Sequence, residues 1–79
     1  MWYVYFLRLQ NTNIYVGSTK DLRRRVASHE RGEVKSTKPF RPLSLKSYVA
    51  VQTEETARKL EKYFKSGSGK AIAKKRLWD

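Results

Sequence analysis

The chain contains no cysteine, one histidine, two prolines and only 7 acidic residues in 79. Without cysteine, neither a disulfide framework nor a thiolate metal site can form. A single histidine excludes two-histidine acid–base chemistry and His-rich metal motifs. Few carboxylates, mostly at helix-start or loop positions, count against a two-metal centre that draws on several of them. Long apolar runs are missing too. Met1 to Leu9 is apolar for only about seven residues before Arg8, too short for a signal-peptide core or a spanning helix. A soluble, cytoplasmic protein with no membrane partner is therefore expected.

Against this scarcity of acid stand 18 Lys+Arg, a net charge of +11. Nucleic acid is the first polyanion to consider, because neutralising phosphates releases counterions. A membrane surface comes second. A merely solvated basic coat, as on small ribosome-associated proteins, is the plainest reading. The apolar fraction is 39%, with 2 Trp, 5 Tyr and 3 Phe, enough for one modest core. Because chains this short bury only ~60% of their surface, one domain over residues 1–79 is expected. A monomer is favoured.

Trp2 to Leu9 is β-branched and aromatic, a strand pattern, and Ile14 to Gly17 is a second. Gln10 to Asn13 between them is turn chemistry, so the two should form an antiparallel hairpin. Gly17 marks a place where the backbone bends or something approaches it closely. Ser18 to Asp21 reads as a capping box opening a helix to about Arg31, with Gly32 as its stop. Glu33 to Pro42 reads as a basic loop, and Leu43 to Val51 as a third strand. Thr53, Glu54 and Glu55 open a second helix to about Lys65. Ser66 to Gly69 breaks it, and Lys70 to Leu77 forms a short basic helix. The result is an α+β fold, ββαβαα, with a three-stranded antiparallel sheet flanked by helices. The run Gly67-Ser-Gly69-Lys70-Ala71 is no phosphate loop. Phe64 stands where its first Gly belongs, and Ala71 where Ser or Thr would ligate Mg²⁺.

The helices carry ionisable groups where apolar ones belong. The inward stripe of the first contains Leu22, Arg25, Val26 and His29; that of the second contains Ala57, Leu60, Glu61 and Phe64. The plainer reading is a Glu61–Arg25 salt bridge, or a boundary Glu reaching water. Three such groups together point instead to a polar pocket between helices and sheet, as functional sites require. Tyr5 and Tyr15, on adjacent strands, can share the face that looks into it.

These residues resemble the GIY-YIG nucleases. Tyr3-Val-Tyr5 and Ile14-Tyr15-Val16-Gly17 are similar to that family's two signature strands. Asp21 to His29 resembles its first helix, and Glu55 to Glu61 the later helix that ends in a metal-binding Glu. The resemblance runs from Trp2 to about Leu77 and is closest to small stand-alone members related to the nuclease domain of the excision-repair incision subunit. Tyr3 replaces the first signature's Gly and Val4 its Ile. The Asn many relatives carry late in the domain has no counterpart after Asn13; Ser66, Ser68 or Lys70 takes its place or the contact is missing.

The resemblance implies a metal-dependent, structure-selective DNA endonuclease in repair or processing, with RNA as an alternative substrate. It implies that Glu61 holds one Mg²⁺ or Mn²⁺ and that Arg25 contacts the scissile phosphate. Tyr5 and Tyr15 orient and deprotonate the attacking water, which of them acts as base being open, and His29 assists. Arg25, the metal and Lys20 would favour the phenolate. Lys20, Arg23, Arg24, Lys35, Lys38, Arg41, Lys70, Lys74 and Lys75 are the expected phosphate contacts, which position without reading sequence. The alternative is a catalytically weak nucleic-acid-binding module of the same fold.

Overall fold

The run Val4-Tyr5-Phe6-Leu7 is buried without a break, the mark of a strand covered on both faces. It forms the middle of β1 (Trp2–Arg8), the central strand of the sheet. The structure, a computed structural model, describes residues 1–78. The remaining elements are β2 (Ile14–Thr19), α1 (Leu22–Glu30), β3 (Ser44–Val51), α2 (Glu54–Lys65) and α3 (Gly67–Ala73). A 3₁₀ turn (Lys38–Phe40) precedes β3, and a π turn (Lys74–Trp78) follows α3. The chain is thus α+β, with three antiparallel strands in the order β2-β1-β3. The expected domain limit, Asp79, lies outside the described residues.

Alternation along β1 sorts the two faces. Val4 and Phe6 join Val16, Ala57 and Ala73 in the core, with Trp2, Ile14, Val49, Leu60 and Phe64 packed around them. Phe6 and Phe64 meet edge to face at 5.1 Å. Burying a ring such as Phe6 contributes ~1.5–3 kcal/mol. Helices α2 and α3 cover this face. The opposite face carries Tyr5 and Tyr15, against which His29 of α1 packs.

Three boundaries differ from the sequence expectation, each for a local reason. Strand β2 continues through Ser18 and Thr19, which pair with Val4 and Tyr3, so these residues cannot cap a helix. Asp21 is the N-cap instead, accepting from the Arg24 N–H at 3.2 Å. Gly32 ends α1 as expected, at φ 79°. The break between the last helices is a single extended residue rather than four. Ser66 donates to the Tyr63 carbonyl at 2.5 Å and accepts from the Gly69 N–H at 3.1 Å, closing one helix and opening the next.

Candidate active site

Tyr5 stands directly across from Gly17 in the β1–β2 ladder. A Cβ on Gly17 would lie 2.5 Å from the Tyr5 hydroxyl oxygen and 2.6 Å from Cζ. Glycine is therefore required here by the phenol lying across the neighbouring strand, and not by backbone angle. The ring is 1% exposed. Its hydroxyl meets His29 Nε2 at 2.9 Å and accepts from Arg25 Nε at 3.4 Å.

His29 is wholly buried, and its other nitrogen, Nδ1, lies 2.7 Å from the hydroxyl of Thr37, which is buried as well. Thr37 Oγ1 in turn reaches the Val34 carbonyl at 3.4 Å. One proton assignment satisfies the whole chain. Arg25 donates to Tyr5, Tyr5 donates to Nε2, Nδ1–H donates to Thr37, and Thr37 donates to Val34. Desolvation, and then the charge of Arg25, hold the imidazole down to about 4, so it is neutral at physiological pH. Tyr15, half-buried, completes an aromatic cluster, its ring 5.1 Å from His29 and 6.3 Å from Tyr5. The hydrogen bond that Arg25 donates to Tyr5 foremost, with lesser interactions with Tyr5 and Tyr15, outweighs desolvation and raises the guanidinium above arginine's ordinary range.

Glu61 reaches the far end of β2 from α2. Its Oε1 accepts from Ser18 at 2.5 Å, and its Oε2 pairs with Lys65 at 2.7 Å. Burial opposes ionisation, yet the hydrogen bonds from Lys65 and Ser18 prevail and hold the carboxyl below its usual range. Ser18 adjoins Gly17, and the Glu61 charge is felt at the Tyr5 phenol.

Comparison with known proteins settles the family. The profile of the GIY-YIG catalytic domain matches residues 1–76. The chain belongs to the GIY-YIG family. A UPF0213 protein of Cupriavidus pinatubonensis is 38% identical over 61 residues, 76% of this chain and 68% of that one. A UPF0213 protein of Streptococcus pyogenes serotype M5 is 36% identical over 64 residues, 80% of this chain and 70% of that one. The solution NMR structure of the UPF0213 protein BH0048 from Bacillus halodurans aligns with a TM-score of 0.57 at 32% identity, covering 91% of this chain and 81% of that one. GIY-YIG domains are in general nuclease domains, so nucleic acid is the substrate class that membership implies.

Within this GIY-YIG chain, the structure brings together Tyr5, Tyr15, Arg25 and His29, with Glu61 to one side. It corrects several expectations. Arg25 is not withdrawn into the interior but exposed, because only its Nε end turns in to Tyr5. Glu61 pairs with Lys65, not with Arg25. The Tyr5 phenol is not eased toward phenolate. Burial raises it above its ordinary value and outweighs the Arg25 hydrogen bond. Lys20 lines a depression beside Tyr3 and Tyr48 rather than Tyr5. At the start of α1 the Arg24 N–H is already taken by the Asp21 carboxylate. Arg41 is used structurally, reaching the carbonyls of Lys38 and Glu30. The other expected phosphate contacts, Arg23, Arg24, Lys35, Lys38, Lys70, Lys74 and Lys75, are all exposed.

The sequence reading gives two residues of this region no site role. Ser18 sits on the core-facing side of β2, where a hydroxyl needs a partner. Thr37 lies in a loop with no periodicity to mark it. Among the described residues no three of His, Cys, Asp and Glu cluster as a metal cage. One carboxylate beside a hydroxyl, both hard oxygen donors, still fits Mg²⁺, which keeps waters and takes substrate phosphate oxygens.

Proposed function

We propose that this chain is a divalent-metal-dependent DNA endonuclease that hydrolyses phosphodiester bonds at structured sites with little sequence preference. The observation that carries this reading is the Tyr5 hydroxyl held between Arg25 and buried, neutral His29, over a glycine that leaves room for it. Phosphodiester hydrolysis needs an oriented water and charge stabilisation on the phosphate oxygens.

Tyr15 is the half-buried phenol of the pair, and we assign it the attacking water. Its hydroxyl oxygen takes the water's proton as its own passes to solvent, the resulting hydroxide forms the bond to phosphorus, and the leaving oxygen departs to be protonated by solvent. The guanidinium of Arg25 offers its outer N–H groups to the phosphate oxygens; its planar fork suits them. Tyr5, His29 and Thr37 act one step back: their buried hydrogen-bond chain fixes the inner end of Arg25. Glu61, with Ser18 fixing one oxygen, would hold Mg²⁺ or Mn²⁺, which when bound supplies Lewis-acid polarisation of the phosphate and offsets leaving-group charge. A role in DNA repair or processing fits structure selectivity without base readout.

The second reading, a nucleic-acid-binding module with feeble catalysis, is favoured by two observations: Glu61 is engaged by Lys65, and the Tyr5 phenol is raised. A cleavage panel of single-stranded, duplex, flapped and branched DNA, with an RNA strand alongside, separates the two. Metal-dependent nicking that Glu61→Ala abolishes supports the nuclease. Nicking that survives Glu61→Ala removes the assigned metal site. Salt-sensitive binding without any product supports the module.

A further inference from the structure

On the α3 side of the sheet, beyond the end of the core, lies a cavity of about 670 Å³. It is framed by the β1–β2 turn, the start of β3 and α3. Arg8, Lys46, Lys70 and Lys74 line it, and no acidic residue does. None of these four cations belongs to an ion pair among the described residues, in contrast to Arg31, Arg58, Lys59 and Lys65. A solvated basic coat would scatter such charges. Here four are gathered around one concavity, where like charges repel and the field is focused.

The backbone contributes to this gathering. Phe6 pairs with Ser47 and Leu7 with Leu45, so Lys46 is the extra residue of a β-bulge. Bulges re-aim side chains, and this one lets Lys46 line the same cavity as α3. Lys70 and Lys74 lie four apart, on one helix face. Arg8 shares the strand face of Val4 and Phe6. Leu9 and Ile14 add apolar surface, and Tyr15, part of the candidate site, lies at the rim. Groove and site therefore adjoin across β2.

We propose that this groove holds a single-stranded stretch of nucleic acid adjoining the phosphate to be cut, its phosphates on Arg8, Lys46, Lys70 and Lys74. The proposal rests on the nuclease reading and adds the form of substrate. A concave site admits a chain and not the flat headgroup layer of a membrane. Its volume equals a cube about 9 Å on a side, room for one strand and too small to enclose a duplex, whose major groove alone is ~12 Å wide.

The test measures binding of a labelled oligothymidylate and of a duplex over a salt series, with EDTA present so that cleavage plays no part. All four cations are exposed, so their alanine variants should keep the wild-type melting curve. Single strands give a slope of ~0.7 per phosphate contact. Lys70→Ala with Lys74→Ala should flatten the oligothymidylate slope by about 1.4, and the fourfold variant by about 2.8. Arg31→Ala with Lys59→Ala removes the same net charge elsewhere and should leave the slope unchanged. Equal flattening by both pairs would overturn the groove in favour of a general charge effect. Equal weakening of duplex and single strand would overturn the single-stranded occupant. A flattened slope in a protein that cuts nothing supports the groove and removes the nuclease reading. Metal-dependent cutting with an unchanged slope does the reverse.

Discussion

Gly17→Ala is the smallest change that strikes the centre of the proposed site. The added Cβ would lie 2.5 Å from the Tyr5 hydroxyl oxygen, 2.6 Å from Cζ and 3.0 Å from Cε1. Carbon contacts are comfortable only from ~3.5 Å. The ring must therefore move by roughly 1 Å, yet it is 1% exposed and tied to His29 and Arg25. Overpacking of this kind costs ~1–3 kcal/mol. Loosening a hydrogen bond between buried groups adds ~1–3 kcal/mol. Alanine for glycine in extended backbone returns ~0.5–1 kcal/mol. The net loss is about 1–5 kcal/mol, from a stability of ~4–12 kcal/mol for a chain this size. Urea unfolding followed by tryptophan fluorescence measures it. The decisive comparison is Gly17→Ala in a Tyr5→Val background, where all three clashing atoms are gone. There the alanine should be neutral or stabilising by up to ~1 kcal/mol. An equal loss in both backgrounds would refute the steric account.

Other outcomes follow from the same geometry. Thr37→Val keeps the shape but leaves His29 Nδ1–H without its partner; denaturant unfolding should show a loss of ~1–3 kcal/mol. His29 titrates at about 4 in the folded protein against ~6.5 unfolded, so the unfolded chain binds the extra proton between those values. Stability should be complete above pH ~6.5 and fall on acidification toward 4, by up to ~3 kcal/mol. His29→Gln should remove the slope between pH 5 and 6.5, as no other histidine is present. Ser18→Ala removes a hydroxyl that fixes Glu61, and half-maximal cleavage should then need ~10–100-fold more Mg²⁺.

The sheet, the helices and most of the cluster were legible because they rest on short-range rules. Alternation set Tyr5 and Tyr15 on one face, and helical spacing set His29 inward and Glu61 beside Leu60 and Phe64. Gly17 signals a bend or a close approach, and only the register shows that it is Tyr5 that approaches. Spacing failed where a side chain is long. Arg25 has an inward address, but its length keeps the residue exposed while Nε turns back to Tyr5. It failed also at Ser18, where pairing with β1 outcompeted a local helix cap. Thr37 was invisible because its burial depends on a loop folding over α1. The Tyr5 phenol departs from the expectation that Arg25, a metal and Lys20 favour phenolate, because desolvation acts on it more strongly than the Arg25 hydrogen bond.

The most direct test of the proposed chemistry removes one oxygen. Tyr15→Phe keeps the ring against His29 and touches a half-buried side chain, so the melting curve should be unchanged. Single-turnover nicking of branched DNA with Mg²⁺ should fall by at least ~10²-fold, the usual worth of a general base. Wild-type nicking rates in that variant, with DNA binding intact, would contradict the assignment of this cluster to phosphodiester hydrolysis.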